Sequence, residues 1–294
     1  GAIKFYKECK KEGMHPIIGC EMYIAKGAMS EKNSGRDNEN FHLTVLAKDY
    51  EGYKNLMKLV TLSHLEGFYY RPRVDKETLA KYSKGLMALS GCNSSEISKS
   101  LVGGNFKDAQ KLTKVYAQIF GDGNFFLETQ RHLFEKFMTA HEAGSEIYTQ
   151  LSHMAGEEKK LTEGIKKLAK ATKFSMVATG DVHYVLQADA QAQDAIVCIQ
   201  TGKNISDIKR LRMIDSPTFY LKSAEEMSEL FRDNPEAIAN TIEVAKKVHI
   251  EIPLNIVAFP HFAVPNSQAA DQYLKKISFE RIKDKVKTVT KEIG

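Results

Sequence analysis

The chain has 294 residues, a formal net charge of +5 with neutral histidines, and 43% hydrophobic and 27% charged residues. This is enough apolar material for one large domain or two small ones with a sizeable core, and the charge content is ordinary for a soluble protein. No apolar run approaches the roughly 20 residues that cross a bilayer, and no secretory signal is visible.

Cys9, Cys20, Cys92 and Cys198 show no CxxC spacing and read as reduced thiols of a cytoplasmic protein, not as a disulfide framework. The basic excess suits an anionic partner, but it is small and spread out. The chain opens without Met inside one amphipathic pattern and closes inside another, so it reads as a segment of a longer protein.

In chain order, residues 2–12 set Ile3, Phe5 and Tyr6 among lysines and glutamates, predicting a surface helix ended by Gly13. "HPIIGCEMYIA" (15–25) is β-prone, and 26–40 is a polar loop. "FHLTVLA" (41–47) alternates, with His42, Thr44 and Leu46 on one face and Phe41, Leu43 and Val45 on the other. Residues 49–67 predict a helix with a stripe of Tyr53, Leu56, Met57 and Val60.

A short strand at 85–92, a helix at 105–121 and a strand at 124–128 follow. A long polar helical stretch then runs to about 173, with breaks expected at the glycines within 156–167. "FSMVATGDVHY" (174–184) is strand then loop. Ser223 and Glu226 form a capping box, and Pro235 opens a helix with Ile238, Ile242 and Ala245 on one stripe. Strands alternating with helices predict an α/β, barrel-like fold over roughly residues 1–200, followed by a mostly helical region.

Several side chains in or beside these strands can ligate metal. In an extended segment, Asp181 and His183 project to the same side, and a carboxylate with an imidazole suits a divalent cation. Taken alone, such a pair is more often a hydrogen-bonded loop. Glu21 stands in an apolar run, where a carboxylate is costly unless paired or metal-bound; an exposed edge strand is the alternative. His42 could be a core histidine bonded to a carbonyl, and Cys92 a small buried hydrophobe. Together they are four segments that each pair a hydrophobic strand with a metal-capable residue, and barrels gather such positions around one mouth.

"GAIKFYKECKKEGMHPIIGCEMYIA", "FHLTVLAKDYEGYKNLMKLV", "GLMALSGC", "VATGDVHY" and "NPEAIANTIEVAKK", in this order, resemble the polymerase-and-histidinol-phosphatase (PHP) domain of bacterial DNA polymerase III α subunits. The resemblance runs from residue 1 to about 265 and more faintly to the end. It implies a distorted TIM-like PHP barrel segment at 1–200, without its first strands. A helical linker toward the polymerase palm at 201–265 and the start of the next helical or palm region at 266–294 would follow.

The resemblance also implies a metal cluster of Glu21, His42, Cys92, Asp181 and His183, with Glu21, Asp181 and His183 in catalytic roles. Two or three zinc or manganese ions would occupy the complete domain, and magnesium would serve the polymerase. The family's HxH, nearby Asp and "DHG" elements are not found here. Gly180 stands where the family usually has Asn, a change expected to alter backbone freedom more than ligation. His132, His141 and His153, in a stretch longer than the family's usual connection, read as surface residues.

The implied chemistry is metal-assisted phosphoester hydrolysis, trimming DNA 3′ ends in a 3′–5′ exonuclease-type reaction. Nucleotide transfer would belong to the parent polymerase, outside these residues, and the segment alone would be inactive. DNA, a proofreading exonuclease subunit and other replicase subunits are the implied partners. Two alternatives are a stand-alone phosphatase for a small phosphomonoester and a non-catalytic scaffold that docks the proofreading subunit. "GFYYRPRVDK" (67–76) offers Arg71, Arg73 and Lys76 as DNA contacts among aromatic residues, against a packed loop with solvated charges. The lysines from 283 to 291 read as one solvated helix face.

Overall fold

The computed structural model describes residues 1–33, 39–254 and 262–285. The chain divides into two compact units, Gly1–Glu251 and Ile252–Gly294. In the first, α1 (Ala2–Lys11) turns Tyr6 and Cys9 inward, and Gly13 follows it at φ 70°. The next two apolar runs become β1 (Gly19–Ala25) and β2 (Asn40–Ala47), an antiparallel pair. β2 alternates as predicted: Phe41, Leu43, Val45 and Ala47 are buried, while His42, Thr44 and Leu46 are half-buried on the opposite face.

Asp49 caps α2 (Tyr50–Leu65), its carboxylate accepting from Gly52 N at 2.8 Å. The buried stripe of α2 is Tyr53, Leu56 and Leu59; Met57, expected inside, is exposed. Both i+3 and i+4 spacings satisfy a helical stripe, and packing selects the leucine at 59.

β3 (Arg73–Val74), α3 (Lys76–Lys81), β4 (Leu86–Leu89), α4 (Glu96–Val102), α5 (Phe106–Phe120) and β5 (Phe125–Thr129) follow. Then come α6 (Phe134–Met138), α7 (Glu146–Thr172) and β6 (Met176–Ala178). The six strands form one mixed sheet in the order β3-β1-β2-β4-β5-β6. β2 pairs antiparallel with β4, whereas β4, β5 and β6 run parallel. β4 and β5 are buried along their whole length, as parallel strands covered on both faces require. The expected α/β class holds. Among the described residues no ladder joins β3 to β6, so the sheet has two edges.

One expectation fails in α7, which runs without a break through Gly156 and Gly164. At Gly164 a Cβ would lie 3.3 Å from the Leu101 side chain, so this glycine lets α7 approach α4 closely. Continuous tertiary packing outweighs the roughly 1 kcal/mol helix penalty of each glycine.

Beyond β6 come α8 (Ala190–Thr201), α9 (Ala224–Leu230) and α10 (Pro235–Lys246). The Ser223–Glu226 capping box is formed. α10 buries Ala237 and Val244, whereas Ile242, assigned inward from the sequence, is exposed. The stretch between α8 and α9 is less helical than expected, with only a short 3-10 turn at Met213–Asp215. It is fixed by Arg210, whose guanidinium bonds both oxygens of Asp194 in α8 at 2.6 and 2.7 Å.

In the second unit, α11 (Ala270–Lys285) carries Tyr273, whose ring stacks on Phe262. The lysine face proposed for 283–291 falls largely outside the described residues. No described helix is long and apolar enough to cross a membrane.

Candidate metal centre

The ladder between β1 and β2 sets Glu21 opposite Thr44 and Tyr23 opposite His42. Glu21 and His42 are thus diagonal neighbours on one face, within reach of each other. His42 Nδ1 lies 2.7 Å from Glu21 Oε1. The Tyr23 ring meets the His42 ring edge-to-face at 5.1 Å and limits its rotation.

Cys92 arrives from the loop after β4. Gly91 stands before it at φ 90°, and a Cβ there would fall 2.7 Å from the His42 carbonyl oxygen. Only glycine permits both that backbone angle and that approach. Cys92 Sγ lies 3.4 Å from His42 Nδ1 and 3.7 Å from Glu21 Oε1. One ligand atom from each of the three side chains falls within 4.8 Å of the others.

Asp181 and His183 reach the same cavity from the loop after β6. Asp181 itself holds the unusual backbone, φ 49°, a left-handed conformation that Asp tolerates better than most residues. Gly180 has no positive φ, and a Cβ there would make an ordinary 3.5 Å contact with Val182. The expected change in backbone freedom at 180 is therefore not used; the strained residue is the carboxylate next to it. His183 Nδ1 is 2.7 Å from the Asp181 carbonyl oxygen. A carbonyl only accepts, so Nδ1 carries a proton, and in the neutral ring Nε2 is the nitrogen with a free lone pair.

The electrostatics suit a cation. The His42 imidazole beside Glu21 holds its carboxyl below the usual range. Burial pushes Asp181 up; the Glu21 charge adds to that shift, while His183 opposes it. Burial also pushes the Cys92 thiol up to about 12. Two carboxyls, two imidazoles and a thiol around one cavity fit a divalent transition metal, which would displace the thiol proton and offset the carboxylate repulsion.

The cavity measures about 260 Å³. Phe134, Met154, Leu161, Ile165 and Phe219 give the cavity wall an apolar part, beside which α7 also presents Glu157, Glu158 and Thr162. This wall corrects the assignment of His132 to the surface. His132 is 8% exposed, stacked on Phe219 at 4.3 Å, with Nε2 3.8 Å from Asp181 Oδ2. Burial pulls its pKa down to about 3, so the ring is neutral. His153 is exposed and His141 half-buried. Nothing in "QRHLF" distinguishes His132 from its neighbours; only the fold of α6 and α7 covers it.

Glu128, at the end of β5, is a second residue missed in the sequence. It is 6% exposed, lines the cavity, and accepts from Gly91 N at 3.0 Å and Thr179 Oγ1 at 2.5 Å. Its one signal was a carboxylate closing the apolar run "NFFLE".

The expected DNA contacts do not survive as a group. Arg73 is 1% exposed: Nε donates to the Gly67 carbonyl, and Nη2 to those of Met29 and Glu31. Lys76 pairs with Glu96 at 2.7 Å. Arg71 is exposed, 5.8 Å from the centre of the Tyr23 ring. The loop is packed because the Arg73 guanidinium organises it from inside.

Comparison with known proteins gives a consistent answer. Residues 1–132 match the PHP domain family. The chain is 39% identical over its whole length to DNA polymerase III subunit alpha of Borreliella burgdorferi and covers 24% of that protein. It is 36% identical to the Treponema pallidum subunit, again over its whole length, covering 23% of it. Over 95% of its length it is 34% identical to the Thermus aquaticus subunit, covering 22%. The chain thus spans about a quarter of the length of these curated relatives. Residues 1–132 are a PHP domain, in a chain similar along its length to bacterial DNA polymerase III α subunits.

Proposed function

We propose that this chain belongs to a replicative DNA polymerase and carries a metal-dependent phosphoesterase site that trims DNA 3′ ends. The observation that supports it best is the convergence of Glu21, His42, Cys92, Asp181 and His183, from four segments of the chain, on one cavity. Glu21, His42 and Cys92 would hold one cation, and Asp181 with His183 would complete the set. The thiol and imidazoles favour zinc, while the carboxylates and imidazoles also accommodate manganese. Bound there, such ions neutralise phosphate charge and acidify water.

The chain's own groups orient these events. His183 presents Nε2 because Nδ1 is tied to the Asp181 carbonyl. Neutral His132 carries no charge toward the phosphate, and its ring stacks on Phe219. A proofreading subunit and other replicase subunits are the partners that such a polymerase would bring.

The test uses the full-length protein with zinc or manganese and a 3′-labelled primer. His183→Ala should abolish metal-dependent trimming while nucleotide incorporation continues. Trimming at the wild-type rate in this variant would refute the assignment, and a wild-type protein that binds no metal would indicate a scaffold.

A further inference from the structure

Burying a carboxylate is costly, and an apolar residue would serve the packing of β5 equally well. Glu128 nonetheless sits at the floor of the cavity, and every donor around it has a specific origin. Its Oε2 accepts from Gly91 N at 3.0 Å and from the Thr44 hydroxyl at 3.4 Å. Its Oε1 accepts from the Thr179 hydroxyl at 2.5 Å and from the Gln130 amide at 3.0 Å.

Thr44 lies two residues after His42, Gly91 directly before Cys92, and Thr179 two residues before Asp181. Three segments that carry candidate ligands therefore each send one donor to this carboxylate. The fourth donor, Gln130, also bonds the Thr179 hydroxyl at 3.2 Å and steadies the cluster. With four donors both oxygens are filled, so Glu128 itself is no ligand.

We propose that Glu128 is the positioning residue of the metal centre, holding the segments of His42, Cys92 and Asp181 at fixed separation. This role rests on the metal-centre reading above. Outer-shell groups of this kind typically change metal affinity tenfold to a hundredfold, on the order of the loss expected here. Glu128→Gln keeps the shape, but its single oxygen serves one side and its NH2 confronts donors on the other.

The test titrates the full-length protein with Co²⁺, reading both the dissociation constant and the absorption band that reports cobalt bonded to the Cys92 sulfur. Glu128→Gln should weaken Co²⁺ binding about tenfold to a hundredfold and displace that band. Thr179→Val, which cuts only the link to the Asp181 segment, should weaken binding less and leave the band in place. If Glu128→Gln does not fold, Thr179→Val decides by the same measurements. Wild-type affinity and an unaltered spectrum in the folded variants would overturn the positioning role alone. Failure of the wild-type protein to bind Co²⁺ would overturn the metal-centre reading, and the positioning role with it.

Discussion

The two walls of the cavity are built on different principles. On the strand side, each candidate ligand sits in a strand or just past its end: Glu21 in β1, His42 in β2, Cys92 after β4, and Asp181 and His183 after β6. Ladder hydrogen bonds fix the backbone there, and the side chains remain polar and partly open to solvent. On the helix side, Phe134, Met154, Leu161 and Ile165 close the space by packing. That wall is pinned by Glu158 of α7, whose carboxylate accepts the backbone N–H groups of His132, Leu133 and Phe134 at the start of α6. The strand wall carries the candidate ligands and the helix wall supplies the shape, so each should fail in its own way.

The largest separation is expected at Glu158. Glu158→Ala strands three backbone donors and should cost about 1–3 kcal/mol of unfolding free energy in urea titration. If the walls are independent, its metal affinity stays within about twofold of wild type; a steep loss of metal would break the distinction.

An effect of comparable size is expected at His132, and it depends on pH. The folded-state pKa, about 3, lies below the ordinary 6.5 because burial disfavours the charged ring. As pH falls below about 6.5 the unfolded chain takes up a proton that the native state refuses until near pH 3. Stability is therefore lost on acidification through that window. His132→Phe keeps a ring against Phe219 and should flatten the decline in urea midpoint between pH 6.5 and 4. An unchanged slope would show that His132 does not control it.

The smallest effect concerns the strand wall. Gly180→Asn should shift stability by less than about 0.5 kcal/mol, because the backbone at 180 is ordinary and a Cβ there makes only van der Waals contacts. A thermal midpoint lowered by many degrees would mean that the glycine is structurally required.

The strand wall was legible in the sequence because a period of two exposes its own logic. His42 and Thr44 stand on the face opposite Phe41, Leu43 and Val45, and the structure keeps that arrangement. Asp181 and His183 were singled out by an extended spacing that the structure does not keep, since Asp181 is left-handed at φ 49°, although both line the cavity. The helix wall was not legible. His132 looks like any loop histidine until α6 and α7 fold over it, and Glu128 looks like an exposed strand end until Gly91 and Thr179 arrive. Helix faces suffered the same ambiguity: Met57 and Ile242 satisfy the spacing of a stripe, yet packing chose Leu59 and Val244. Arg73 reads as a DNA contact because sequence reports charge and leaves the surrounding carbonyls unseen.

The antiparallel pairing of β1 and β2 carries one more consequence. Glu21 meets His42 because Glu21 faces Thr44 and Tyr23 faces His42 across the ladder, not because of the chain that connects them. The carbonyls of Met29 and Glu31 anchor that connection to Arg73 on one side, and Lys26 pairs with Glu39 at its far end. Breaking that register should therefore part Glu21 from His42 even where the connecting segment is left intact.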